Sequence, residues 1–68
     1  MKRTPQVRVI RWALGLSQEE FAARFHIPLG TLRGWEQVRK EPDTAARAYL
    51  RAIGRNPTAV AEALSLSP

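Results

Sequence analysis

Residues 26–36 read HIPLGTLRGWE, a proline and two glycines inside a short stretch of a chain otherwise rich in alanine, leucine and arginine. Composition alone makes this a loop, because glycine and proline are the poorest helix formers. Its neighbours argue otherwise. Upstream, Ser17-Gln18-Glu19-Glu20 fits a capping box, in which Ser17 accepts from the third backbone N–H and Glu20 reaches back. That begins a helix whose Phe21, Ala22 and Phe25 face inward. The link Phe25-His26-Ile27-Pro28 is then too short for anything but a tight corner, and two helices joined steeply by such a corner define a helix-turn-helix. Ala22 is small enough to let the next helix cross closely, and Ile27 with Leu32 plugs the corner.

A helix from about Pro28 to Gln37 puts Leu32 and Trp35 on the core side and turns Leu29, Gly30, Arg33 and Gly34 outward. Proline is tolerated at its start, where a backbone N–H would be unpaired anyway. Gly30 and Gly34 lie on one outward stripe at i, i+4. Each costs the helix roughly 1 kcal/mol relative to alanine, which implies a compensating need for close backbone approach. Arg33 has the fork that matches a guanine edge, a contact worth roughly 1–3 kcal/mol of discrimination, and Leu29 suits a thymine methyl.

Apolar spacing is helical on both sides of this pair. Thr4-Pro5 reads as an N-cap followed by proline at the first helical position. Val7, Ile10 and Leu14 mark one face, and Gly15 stops that helix. Val9 and Trp12 lie off the stripe, where they either complete a small core or supply an interface. Downstream, Pro42-Asp43 is a break with an N-cap, Ala46, Tyr49, Leu50 and Ile53 form an amphipathic stripe, and Gly54 ends the helix. Asn56-Pro57 repeats the cap-plus-proline signature ahead of a short last helix anchored by Val60 and Leu64. Ser65 to Pro68 reads as a frayed tail.

The chain has 68 residues, 44% of them apolar, and no cysteine, so neither a disulfide nor a thiolate metal site is available to it. No apolar run approaches the roughly 18 residues of a membrane span, and no signal-peptide pattern opens the sequence. A soluble cytoplasmic domain without membrane contact is expected. Lys and Arg outnumber Asp and Glu by 11 to 6, giving a net charge of +5 and a pI near 11.2. Most of the basic residues are arginine, which suits planar contacts to phosphate, and nucleic acid is the first partner to consider. Catalysis is not expected. One histidine, no cysteine and six acids mostly at caps or in an expected ion pair leave no paired general acid and base. Ser17 caps a helix with no base beside it, His26 is a turn residue, and no metal or cofactor is expected. Arg47, Arg51 and Arg55 form an i, i+4, i+8 row, read as a solvated face, with a partner or DNA surface as the alternative.

Leu14-Gly15-Leu16-Ser17-Gln18-Glu19-Glu20-Phe21-Ala22, Thr31-Leu32, Trp35-Glu36 and Glu41-Pro42 together resemble the Xre family of lambda-repressor-like helix-turn-helix domains, over about residues 7–54. The stretch FAARFHIPLGTLRGWEQ followed by EPDTAARAYL is more closely similar to higA-like antitoxin DNA-binding domains of toxin–antitoxin systems. The resemblance implies an all-α, compact five-helix lambda-repressor-like domain with a helix-turn-helix at about 17–37, a single domain spanning 1–64, and a tail at 65–68. It implies a transcriptional regulator that binds double-stranded DNA at an inverted-repeat operator as a homodimer, as a repressor or an autoregulating antitoxin with a toxin partner. A protein-interaction module for a toxin or polymerase subunit is the alternative.

Carried over by position, the resemblance makes Gln18 a contact to phosphate or an outer base and Thr31 a phosphate contact. Pro28, Leu29, Gly30, Arg33 and Gly34 belong to the reading helix, and Arg39 and Lys40 grip backbone phosphate from the following loop. Arg11 and Glu36 match a partly buried ion pair between the first and third helices. The last helix, with Val60, Leu64 and Leu66, is the expected dimer surface. Three features depart from the pattern: His26, Val38, and the set Leu29, Gly30 and Gly34, where many family members carry amides or charged side chains. His26 stands where the family has glycine, and histidine tolerates positive φ better than most residues. Val38 stands where related sequences close the reading helix with glycine, so either the helix continues past Gln37 or the cap changes shape. With only Arg33 offering strong hydrogen-bonding reach on the outward face, recognition should lean on phosphate contacts and DNA shape.

Overall fold

The computed structural model describes residues 4–65, which form five helices and no strand. They are α1 (Gln6–Leu14), α2 (Gln18–Phe25), α3 (Leu29–Glu36), α4 (Thr44–Arg55) and α5 (Pro57–Ser65). Helix α2 packs on α3, α1 packs on α3 and α4, and α5 closes the bundle against α2 and α4. No described helix is long and apolar enough to cross a membrane.

Each helix begins and ends for a local reason. The capping box at α2 is complete: Glu20 N–H donates to Ser17 Oγ at 3.0 Å, and Ser17 N–H donates to Glu20 Oε1 at 2.8 Å. Asp43 caps α4 by accepting from the Ala46 N–H at 2.8 Å, and Asn56 caps α5 by accepting from that of Ala59 at 3.1 Å. At α1 the expected Thr4 cap is replaced. Pro5 itself is the N-cap, in an extended conformation with φ −57° and ψ 139°, and no side chain caps the helix. Pro28 does the same for α3. In both places the proline carbonyl receives the first helical N–H groups, so the ring precedes the helix instead of opening it.

Three helices stop in the left-handed conformation, at Gly15 (φ 69°), His26 (φ 55°) and Val38 (φ 59°). The expected stop of α4 at Gly54 is corrected. The helix runs one residue further and Asn56 is its C-cap, with its N–H on the Ala52 carbonyl. Gly54 serves packing instead: a Cβ there would lie 3.3 Å from Ile10 Cδ1, so the missing side chain makes room for α1. Helix α5 includes Ser65, whose hydroxyl donates to the Glu62 carbonyl. Leu66 and the rest of the expected tail lie outside the described residues.

The core consists of Val7, Phe21, Ala22, Phe25, Ile27, Leu32, Leu50 and Ile53, all buried. Full burial of each large member is worth roughly 1.5–3 kcal/mol. Phe21 and Phe25 stack at 4.9 Å with a 53° tilt, adding about 0.5–1.5 kcal/mol beyond area. Ile10, Leu14, Trp35, Tyr49, Val60 and Leu64 pack half-buried around this centre. Tyr49 also hydrogen-bonds the Phe25 carbonyl at 2.6 Å, tying α4 to the corner after α2. Burial pushes the Tyr49 hydroxyl pKa up. Trp12 and Val9 stay outside the core, 59% and 50% exposed.

Candidate nucleic-acid interface

The corner between α2 and α3 is three residues long, from His26 to Pro28. His26 supplies the left-handed φ, and the Ile27 N–H returns to the Ala22 carbonyl at 3.0 Å. Ile27 is buried beneath the corner with Ala22 and Leu32. Helix α3 therefore leaves α2 at a fixed angle, and its outer surface is set by what remains uncovered.

Gly30 and Arg33 are exposed on that surface, Thr31 and Gly34 are half-buried, and Pro28 is exposed at its start. A Cβ on Gly30 or Gly34 would meet nothing within 4 Å. The fold itself gives neither position a reason to be glycine. Leu29 is a correction: it is half-buried and packs against the core. With Leu32 and Glu36 it forms an i, i+3, i+7 stripe, which is the inward face of the helix, so it does not project outward with Arg33.

Beneath the surface lies Glu36, a carboxylate only 2% exposed. Arg11 meets it side-on, with Nε on Oε2 at 2.7 Å and Nη2 on Oε1 at 2.8 Å, while Nη1 donates to the Leu16 carbonyl at 3.1 Å. Arg8 donates from Nη2 to the Glu36 backbone carbonyl at 2.8 Å, and its Nε lies 3.5 Å from Oε1. The same guanidinium sits 5.7 Å from the Trp12 ring centroid. Gln18 Nε2 donates to Glu36 Oε1 at 3.2 Å. Burial pushes the Glu36 pKa up, but the hydrogen bonds from Arg11 and Gln18 and the charges of Arg11 and Arg8 outweigh it, leaving the carboxyl below its ordinary range. The contact to Glu36 raises the pKa of Arg11. Gln18 is thus half-buried and engaged within the protein; its Oε1 accepts from Arg33 Nε at 3.4 Å.

Helix α3 ends at Glu36, neither running past Gln37 nor changing its cap. The Val38 N–H bonds to the Trp35 carbonyl at 3.2 Å, and the Arg39 N–H to that of Gly34 at 2.9 Å. These are the two bonds of a Schellman motif, here with valine at the left-handed position and its side chain 65% exposed. Arg39 and Lys40 follow directly, both exposed, with both backbone N–H groups turned back to the Gly34 carbonyl.

Arg8 is the functional neighbour that sequence reasoning missed. Its signal was present: Arg8 and Arg11 stand at i, i+3 on one face of α1, where two cations can share one acid. Nothing local in the sequence announces the bond from Tyr49 to Phe25. The arginine row of α4 is exposed at Arg47, Arg51 and Arg55, and Arg47 lies 3.8 Å from Glu41.

Five helices with a three-residue corner between the second and third define a helix-turn-helix protein, a fold of the DNA-binding regulator type. No protein-family model matches the chain, and no curated protein does. A crystal structure of an HTH XRE-family like protein from Agrobacterium tumefaciens is 62% identical in sequence, with a TM-score of 0.87, over 88% of this chain and 97% of that one. The chain belongs to the Xre-like helix-turn-helix family.

Proposed function

We propose that this protein is a sequence-specific transcriptional regulator that lays α3 into the major groove of an operator and acts by occupancy, breaking no bond. The observation that carries this reading is the outer strip of exposed Gly30 and Arg33 and half-buried Gly34, where a Cβ on either glycine would meet open space, on a helix whose other side is locked into the core. A helix stripped of bulk on its outer face brings its backbone close to base edges, and Arg33 supplies the directional contact. Arg39, Lys40 and Thr31 serve phosphates, which fix register without reading sequence. The charge of +5 favours any DNA over none.

Two copies on an inverted repeat would hold their reading helices one DNA turn apart, roughly 34–36 Å. Val60 and Leu64 on α5, half-buried in the single chain, are the apolar residues assigned to the dimer surface. The resemblance to higA-like antitoxins favours a regulator that controls its own operon and partners a toxin. The exposed Trp12 and Val9 on α1 favour a protein partner for that helix.

The deciding experiment is a footprint on the promoter of the protein's own operon with wild type and Arg33→Ala. Protection of an inverted repeat by wild type, lost in the variant with an unchanged melting temperature, supports the reading. Equal protection by both removes α3 as the reading helix.

A further inference from the structure

Gln18 stands between two groups that demand opposite things of its amide. Glu36 is an ionised, buried carboxylate held by Arg11 and flanked by Arg8, so it can only accept. The amide nitrogen must therefore face it, as it does at 3.2 Å, and this settles which end of the amide is which. The amide oxygen is left pointing at Arg33, whose Nε donates to it at 3.4 Å. We infer that Gln18 is a positioning residue for DNA reading: oriented by Glu36, it holds Arg33 by Nε and presents the terminal Nη pair to a guanine edge.

This rests on the proposal that α3 is the reading helix, and it deepens it. A guanidinium has five donors, one of them on Nε. With Nε occupied from the side, four remain on the two Nη groups, the end that fits guanine O6 and N7 together. Arg33 is exposed, and a free arginine samples many rotamers whose loss weakens binding. A contact from α2 narrows that choice before DNA arrives. The path Arg11–Glu36–Gln18–Arg33 thus runs from a buried ion pair to the one cation of α3 and crosses three helices.

The test begins with duplexes selected by the wild-type chain from a randomised library. Base preference at every operator position is then measured for wild type, Gln18→Met, Gln18→Asn, Arg33→Ala and the Gln18→Met/Arg33→Ala double variant, with melting temperatures alongside. Methionine keeps the length of Gln18 and removes both bonds, while asparagine is too short to make both. Arg33→Ala should erase preference for guanine at one position per half-site, roughly tenfold in the wild type. Both Gln18 variants should reduce that preference several-fold and leave the other positions unchanged, and the double variant should match Arg33→Ala. Intact guanine preference in a folded Gln18 variant, or a uniform loss at all positions, overturns the positioning role. Unchanged preferences in Arg33→Ala would instead reject α3 as the reading helix, and the positioning role with it.

Discussion

Arg11 and Glu36 meet across 25 positions of sequence in a two-point contact, with both carboxylate oxygens taken by one guanidinium at 2.7 and 2.8 Å. The pair pins α1 to the C-terminal end of α3. Its members are unequal: the Glu36 side chain is 1% exposed and that of Arg11 is 14% exposed. Removing one partner is therefore not the same as removing the other.

Arg11→Met leaves a buried carboxylate without its principal cation and should cost roughly 3–5 kcal/mol. Glu36→Gln keeps shape and some hydrogen bonding, and should cost roughly 1–3 kcal/mol. In thermal melts of both variants and their combination, the double should be less damaged than the sum by about 0.5–3 kcal/mol. Strict additivity would mean that the contact carries no coupling.

Acid should weaken the fold through the same carboxylate. Glu36 is held below its ordinary value of 4.5, so its contribution is whole above that pH and is lost as pH falls through the lowered folded value. Glu20, lowered by the Ser17 backbone N–H, acts with the same sign. Melting temperature measured from pH 7 down to pH 3 should fall below about pH 4.5 in the wild type. In Glu36→Gln it should fall less steeply, and parallel curves would show that Glu36 has no part in the acid transition.

Much of this was legible before any coordinates. The capping residues Ser17, Asp43 and Asn56 act within three positions of themselves, so their sequence signals are nearly complete. Phe21, Phe25, Leu50 and Ile53 are buried because helical periodicity makes one face apolar. Leu29 lies inward because Leu32 and Glu36 stand at i+3 and i+7 from it on one face, a spacing that the outward assignment overlooked. Gly54 reads as a stop signal and proves to be a space for Ile10, which only the approach of α1 reveals. Arg8 and the two-sided bonding of Gln18 depend on where Glu36 comes to rest, which is a tertiary fact.

Stability and DNA binding should pull in opposite directions at the two outer glycines. Gly30→Ala and Gly34→Ala place a Cβ in open space, and each should stabilise the free protein by about 1 kcal/mol. Each should also weaken binding to the selected operator by keeping the helix backbone off the groove. Melting curves and gel-shift titrations of the two variants decide it. Higher melting with unchanged affinity would end the close-approach explanation.

Salt should report how binding divides between phosphates and bases. Titrating the operator complex with potassium chloride should give a falling log–log line, its slope roughly 0.9 for each phosphate neutralised. Arg39→Ala and Lys40→Ala should each flatten it by about one unit with base preference intact. A slope indifferent to both would place the phosphate grip elsewhere.

Val38→Gly should stabilise the protein. A left-handed conformation costs a side-chain-bearing residue roughly 1–2 kcal/mol, and glycine's extra unfolded-state freedom returns about 0.4–1 kcal/mol of that. The valine side chain is 65% exposed, so little packing is lost. The net gain should raise the melting temperature by a few degrees, about 4–8 °C per kcal/mol in a domain of this size. A lower melting temperature would mean that the side chain supports the loop.

The same valine has a meaning at the level of the gene. Valine and glycine codons differ by one middle base, so the relaxed form of this turn is a single nucleotide change away. The left-handed Val38 sits in one joint after α3, where the N–H groups of Val38, Arg39 and Lys40 all bond back to carbonyls of that helix. Under selection for heat resistance, position 38 should be among the first to mutate, and reversion to valine under relaxed conditions should be equally short.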